Sequence, residues 1–385
     1  VTRLWLRNAV LLDPEARAPA PGGLLIEGGR IAARLGAGEA AGADARSIDL
    51  GGRRLCPGFI DLHFHGALAF ADADGFGAAL DDAAAGLVRH GTTAFLATTM
   101  AWAAPALAAG VSRLAALLAE RPSGGAAPIG IHLEGPWIDP GAAGAQPRAG
   151  IRPFDPAEGE EILARGEGRI RMVTLAPEID GAAALQAALD RRGIAIALGH
   201  SRAGAEAVQA AVARGARHVT HLFNAMGPIH QRAPGLAGVA LGEDRLTCDL
   251  ICDGVHVHSA WVRVAARAKG ERLVLITDRV EPPGGASDGF GSGPVSDDGE
   301  AIRLADGRLA GSRLTLDVAV RKLREAAGVT LLEAVAACTL RPARVLGVES
   351  ERGTLRPGAR ADFAVLDEEE GVAETWLAGE RVWPP

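Results

Sequence analysis

Pro57-Gly58-Phe59-Ile60-Asp61-Leu62-His63-Phe64-His65-Gly66 is the stretch on which the reading of this chain turns. Phe59, Ile60 and Leu62 supply an apolar body, Pro57 and Gly58 punctuate its start and Gly66 marks its exit, so a buried strand is predicted. Side chains two residues apart in a strand face the same way, which sets His63 beside His65. Two imidazoles on one face can share a metal ion, and a strand end fixes their direction. Alone, a His-x-His pair is as compatible with chance as with a metal site, and the rest of the chain has to decide.

Outward from that strand, a strand-then-helix pattern repeats. Strands are expected at 59–62, 92–98, 129–133, 171–175, 194–198, 218–222, 246–251 and 273–276. Helices are expected at 78–89, 104–120, 181–191, 205–214, 259–269 and 316–327, with another opened by Asp155 and Glu158 as a capping arrangement. The strand at 218–222 is followed by a long loop. Eight such units make a (β/α)8 barrel, an α/β fold. Before it, Leu24-Leu25-Ile26, the turn Glu27-Gly28-Gly29-Arg30 and Ile31 read as a hairpin, and 36–46 as a loop of small residues. After it, 361–366 and 375–377, the turn 378–380 and 381–383 read the same way. Neither end can bury a core alone, so residues 1–55 and 346–385 are expected to join in a small β-sandwich around a barrel at 56–345. The Gly-rich tract 284–299 follows the eighth strand and reads as an excursion or lid. Its Gly291-x-Gly293 does not lie between a strand and a helix, which removes a dinucleotide loop.

Composition narrows the function classes. The 385 residues are 48% hydrophobic, and no apolar run approaches the roughly 20 residues of a membrane span. The first residues show no basic-then-apolar segment, so a cytoplasmic protein is expected. A net charge of −7 with arginines scattered among acids argues against nucleic acid as a partner. The four cysteines form neither a disulfide framework nor a CxxC site and are expected to be buried thiols.

A barrel of this kind places its chemistry at the C-terminal ends of its strands. The polar residues expected there are His63 and His65 after the first strand, Glu134 after the third, His200 after the fifth, His221 after the sixth and Asp278 after the eighth. Four of the ten histidines therefore fall at positions that must converge, which favours a metal site. Histidine pairs and carboxylates suit zinc, iron or manganese, and one or two ions per subunit are expected. A bound divalent ion lowers the pKa of water toward ~7. Glu134 can bridge two ions, because the chain has lysine only at Lys269 and Lys322 and none on the fourth strand. Asp278 can take a proton from the attacking water and return it to a leaving amine; the alternative role is a plain metal ligand.

Pro57–Gly66 as quoted, His132-Leu133-Glu134-Gly135-Pro136, Leu198-Gly199-His200-Ser201, His221-Leu222-Phe223-Asn224-Ala225-Met226, Asp253-Gly254-Val255-His256, Thr277-Asp278 and Gly311-Ser312-x-Leu314-Thr315 together resemble the N-acetylglucosamine-6-phosphate deacetylases of the amidohydrolase superfamily. The resemblance runs in order over nearly the whole chain. It implies that Asn224 and Ala225 bind a sugar phosphate partly through backbone, that His256 contacts sugar or phosphate, and that Arg232 reaches the phosphate of a neighbouring subunit in a homodimer. Ala145, Gln146, Leu309, Ala310 and Gly311 match substrate-lining segments. Read without the resemblance, Arg232 is a solvated loop arginine, Asn224 a loop-capping amide and His256 a packed histidine. His90, His218, His230 and His258 carry structural readings only.

Two departures qualify the resemblance. Gln146 stands where the family usually has histidine; its amide can donate to an acyl oxygen but cannot be cationic. Arg279-Val280-Glu281-Pro282 replaces small residues after Asp278 and is expected to narrow or recharge the pocket. The implied activity is metal-dependent deacetylation of N-acetylglucosamine 6-phosphate, with zinc or iron(II). The alternatives are deacylation of another N-acyl amino sugar, such as N-acetylgalactosamine 6-phosphate, or of an N-acyl amine, and a non-catalytic sugar-phosphate-binding barrel.

Overall fold

The structure, a computed structural model, describes residues 3–42, 44–120, 124–287 and 290–385. Eight strands make the barrel: β1 (Phe59–Gly66), β2 (Thr92–Thr99), β3 (Ala127–Glu134), β4 (Ile170–Leu175), β5 (Ala195–Leu198), β6 (His218–Val219), β7 (Thr247–Ile251) and β8 (Leu273–Ile276). Each pairs in parallel with the next. β1 and β2 are buried at every residue, as strands covered on both faces must be. The ring closes just past β8, where the Asp278 N–H donates to the His63 carbonyl at 2.9 Å and Arg279–Val280 runs parallel to β1. Asp61, fully buried in β1, cements that seam by accepting from the Thr277 hydroxyl (2.6 Å) and the Thr277 N–H (3.3 Å).

The helices Ala104–Glu120, Ser259–Lys269 and Leu316–Ala327 lie where their apolar spacing put them. Asp155 caps Pro156–Arg165 by accepting the Glu158 N–H at 2.9 Å; the Glu158 carboxylate turns to Arg152 instead of returning to the cap. The long loop after β6 contains a helix, Gly235–Gly242, that periodicity could not show because Gly-Leu-Ala-Gly-Val-Ala-Leu-Gly has no polar face. Lys269 closes it: the buried ammonium donates to the carbonyls of Ala240 (2.7 Å) and Glu243 (2.9 Å) at its C-terminal end. Two short helices, Leu331–Ala337 and Leu340–Leu346, were also unforeseen, although Thr330 and Glu333 form a full capping box ahead of the first. No helix of the described residues is long and apolar enough to cross a membrane. All four cysteines are free and buried, and burial pushes the thiols of Cys56, Cys248 and Cys252 up to about 12.

The two ends of the chain do join. Phe363–Leu366 pairs antiparallel with Arg54–Pro57, and this ladder makes the expected sandwich, in its hydrogen bonding, one continuous eight-stranded sheet. Its own core gathers Leu6, Leu24, Leu55, Phe363 and Trp376. The excursion after β8 is a small antiparallel sheet of Ala286–Ser287, Val295–Asp297, Ala301–Leu304 and Leu309–Ser312, hung on the barrel where Ser312 meets Arg279. Phe290, Val295, Ile302, Leu304 and Ala310 give it an apolar cluster shared with Val280 and Met100. Asp288 and Gly289 of the 284–299 tract, and Ala43 of the 36–46 loop, lie outside the described residues.

Phe363 is fully buried and stacks on Trp376 at 5.7 Å between ring centres, at the ladder that welds the two ends together. Phe363→Ala is expected to cost about 3–5 kcal/mol. Urea unfolding followed by tryptophan fluorescence measures it, and an unchanged midpoint would show that the terminal sheet does not share the barrel's unfolding transition.

Candidate metal and substrate site

The six residues expected at strand ends meet at one mouth of the barrel. Glu134, at the end of β3 and buried, is at the centre. Its Oε2 faces the pair from β1, at 3.4 Å from His63 Nε2 and 3.1 Å from His65 Nε2. Its Oε1 faces the other pair, at 2.9 Å from His200 Nε2 and 3.0 Å from His221 Nε2. Asp278 Oδ1 lies 3.5 Å from both His63 and His65. Two groups of ligand atoms result, His63–His65–Glu134 and Glu134–His200–His221, each tight enough to hold a cation.

Left-handed backbone aims these side chains inward where the strands run out. His200 (φ 46°), His221 (φ 33°), Ala225 (φ 49°) and Asp278 (φ 50°) all adopt it, a conformation that costs non-glycine residues of order 1–3 kcal/mol and persists only where the surroundings hold it. Those surroundings are identifiable. The His200 carbonyl accepts from Asp139 N–H at 3.0 Å, and the Asp278 N–H is bound to β1. The His221 N–H donates to Asp249, a fully buried carboxylate of β7 that also takes His218 Nε2 at 2.9 Å. His218 is therefore structural, as its position suggested.

The proton positions test whether this set fits a metal. His65 Nδ1 lies 3.2 Å from the Thr98 carbonyl and His200 Nδ1 2.9 Å from the Ala142 carbonyl; a carbonyl only accepts, so both Nδ1 atoms carry the proton. Their Nε2 lone pairs then face the carboxylate oxygens of Glu134, acceptor against acceptor. A cation between them resolves the conflict, and the donor set of imidazole and carboxylate suits a divalent transition ion. The local field agrees. Burial works to lower the pKa of His63, but Glu134 and Asp278 prevail and hold it up at about 10. His221 is raised the same way, against burial, chiefly by Glu134. Burial pushes Glu134 upward, yet His63 and His200 keep its carboxyl well below the usual range. The pocket wants positive charge.

A cavity opens above these groups. Asp278, His65, Glu134 and His200 form its floor, and Ala145, Gln146, Asn224, Ala225 and His256 its sides. The lid strand contributes Leu309, Ala310 and Gly311. His256 is held by Asp253, whose carboxylate accepts from its Nδ1 at 2.6 Å and from the N–H groups of Val255 and His256, each at 2.8 Å. Burial would raise the pKa of Asp253, and His256 more than offsets it. Arg232 is the exception: it sits on an exposed loop and does not line the cavity of its own chain.

Three side chains differ from expectation. The Gln146 amide is already committed, its nitrogen donating to Glu134 and its oxygen accepting the Ala101 N–H at 2.7 Å, so it braces Glu134. Arg279 and Glu281 pair with each other at 2.7 Å and stay out of the cavity lining, so they do not narrow it. Met100, Gly144 and Phe290 line the cavity without having been anticipated. Sequence offered no sign of those three, whereas Asp249 was visible as a lone acid inside the apolar run Thr247–Ile251.

Comparison with known proteins agrees with this geometry. The amidohydrolase family model matches residues 54–382. Human N-acetylglucosamine-6-phosphate deacetylase is 38% identical over 99% of this chain and 91% of its own length. The N-acetylgalactosamine-6-phosphate deacetylase of Escherichia coli O157:H7 is 36% identical over 85% of this chain and 87% of its own. A mutant N-acetyl-D-glucosamine-6-phosphate deacetylase of Mycobacterium smegmatis, solved in complex with N-acetyl-D-glucosamine-6-phosphate, superposes with a TM-score of 0.89 at 34% identity, covering 99% of this chain and all of that one. With strand-end residues, ligand geometry and full-length similarity in agreement, the chain belongs to the amidohydrolase family, among the N-acetylglucosamine-6-phosphate deacetylases.

Proposed function

We propose that this chain hydrolyses the acetamide of N-acetylglucosamine 6-phosphate to acetate and glucosamine 6-phosphate, as the names of its relatives describe for them. One observation carries the reading: a buried Glu134 with one oxygen toward each histidine pair, and Asp278 against the first pair in the cavity floor. Hydrolysis of an unactivated amide requires a stronger nucleophile than water, a polarised carbonyl and a proton for the departing amine.

His63, His65 and Glu134 would hold one divalent ion, and Glu134, His200 and His221 a second, with zinc or iron(II) suited to the donors. Bound there, such ions supply Lewis acidity at the acetyl oxygen and make water acidic near neutral pH. Asp278 accepts a proton from the attacking water and delivers it to the leaving nitrogen. Gln146 keeps Glu134 in place. Asp253 fixes the proton on His256 Nδ1 and leaves Nε2 free to accept from a sugar hydroxyl. Asn224 and Ala225 flank the sugar, while Leu309, Ala310 and Gly311 cover it. Arg232, turned away from its own cavity, meets the phosphate of the partner subunit in a cytoplasmic homodimer, where its planar fork matches phosphate geometry. N-acetylgalactosamine 6-phosphate is the second reading, favoured by the similarity to the enzyme of Escherichia coli O157:H7.

Acetate release from both epimers, with and without phosphate, tests the reading; release only from unphosphorylated compounds would remove the phosphate roles. Asp278→Asn is expected to lower kcat by about 10²–10⁴-fold while metal content stays constant. Glu134→Gln is expected to lose metal from both positions in elemental analysis, and loss from one alone would contradict a shared carboxylate. Arg232→Ala is expected to raise KM for phosphorylated substrate by roughly 10-fold or more with kcat nearly unchanged. Sedimentation showing an active monomer would place Arg232 outside the site.

A further inference from the structure

The opposite mouth of the barrel holds a second concentration of charge. A cavity of about 490 Å³ opens at the N-terminal ends of β5, β6 and β7, walled by Ile194–Ile196, His218 and Thr247. Arg171, Arg217, Arg245 and Arg344 surround it, against a single lining carboxylate, Asp190. In a chain of net charge −7, four guanidinium groups around one hollow are a local reversal of sign.

The pairing of these arginines separates them from ordinary surface cations. Arg245 is neutralised by Glu243 at 2.7 Å. Arg171, Arg217 and Arg344 form no close ion pair with any described residue, although Arg344 lies near enough to Glu15 to help lower its carboxyl pKa against the upward push of burial. Two of them are nevertheless fixed. Arg171 donates Nη2 to the Leu346 carbonyl at 2.7 Å, and Arg217 donates Nη1 to the carbonyls of Val212 and Ala216, each at 2.7 Å. Backbone carbonyls anchor one edge of each guanidinium but do not cancel its charge, so the remaining N–H groups are held in place without an acid to receive them. The usual role of Arg344, a cation in the last turn of Leu340–Leu346, accounts for that residue alone and not for its two neighbours.

We propose that this cavity is an anion site for a phosphorylated small molecule, distinct from the substrate cavity at the other end of the barrel. Pre-positioned arginine forks match the paired oxygens of a phosphate monoester. The cavity volume is that of a site for a small metabolite and exceeds what a bare ion fills. One wall leads back to the chemistry: His218 lines the cavity and bonds Asp249, which in turn holds the His221 N–H.

Equilibrium dialysis of the full chain against radiolabelled inorganic phosphate tests the proposal, because a second site changes stoichiometry whatever the first site does. Two phosphates per chain are expected for the unaltered protein, and one for Arg171→Gln combined with Arg344→Gln. The KM for substrate should be unchanged in that variant. Arg217→Gln, at an exposed position, should weaken the second site by about tenfold and serves if the double variant does not fold. Repeating the dialysis with a sugar phosphate and with a nucleoside monophosphate separates the two sources of the same group by their competition for the second site. Equal stoichiometry in the unaltered protein and both variants would overturn the proposal. Failure of the deacetylase reading would instead appear as absent acetate release with the stoichiometry difference intact.

Discussion

The contact of Glu134 with four imidazoles at once is the constraint on which this structure depends. A carboxylate at 2% exposure is expensive to keep ionised, and only positive charge on both of its oxygens makes it tolerable. That requirement explains the arrangement around it. His63 and His65 must come from one strand at a spacing of two, and His200 and His221 from strands on the far side. The barrel must close so that Asp278 returns beside the first pair. Removing any one of the four histidines takes a donor atom from the groups that could hold a cation against Glu134, so the set acts as a unit.

Beneath the ligands, further buried carboxylates hold the backbone. Asp61 stitches β1 to Thr277, the residue before Asp278, while Asp249 holds the His221 N–H and pairs with His218. His132 lies in the same layer, its ring 4.8 Å from that of His63 and bonded to the Thr174 hydroxyl at 2.7 Å. Burial, with His63 acting in the same direction, keeps the pKa of His132 far below the usual imidazole range. The site is thus a polar core inside an apolar barrel, bonded largely within itself and to nearby backbone carbonyls, with the Nδ1 atoms of His63 and His221 left without a partner.

How much of this could be read from sequence depends on which physical rule each element obeys. The His63–His65 pair follows from the two-residue repeat of a strand. Glu134, His200, His221 and Asp278 follow from their places just after apolar runs, where a barrel turns its chain outward. The long helices 104–120, 259–269 and 316–327 were legible because their buried residues recur on one face, with a charged outer face in 316–327 and a mostly alanine one in 104–120. The helix Gly235–Gly242 has no such contrast, and the lid strands are two to four residues long, too short to show alternation. Arg279 and Glu281 were misjudged for a different reason: only three dimensions show that two opposite charges two residues apart neutralise each other.

Asp278 donates its N–H to His63 on one side and accepts the Ser312 N–H through its carbonyl on the other, at 2.9 Å in both cases. The residue proposed to move the proton is therefore also the point at which the small sheet above the cavity joins the barrel. Any displacement of that small sheet would pull on the backbone of Asp278, so the cover and the residue beneath it are mechanically one piece.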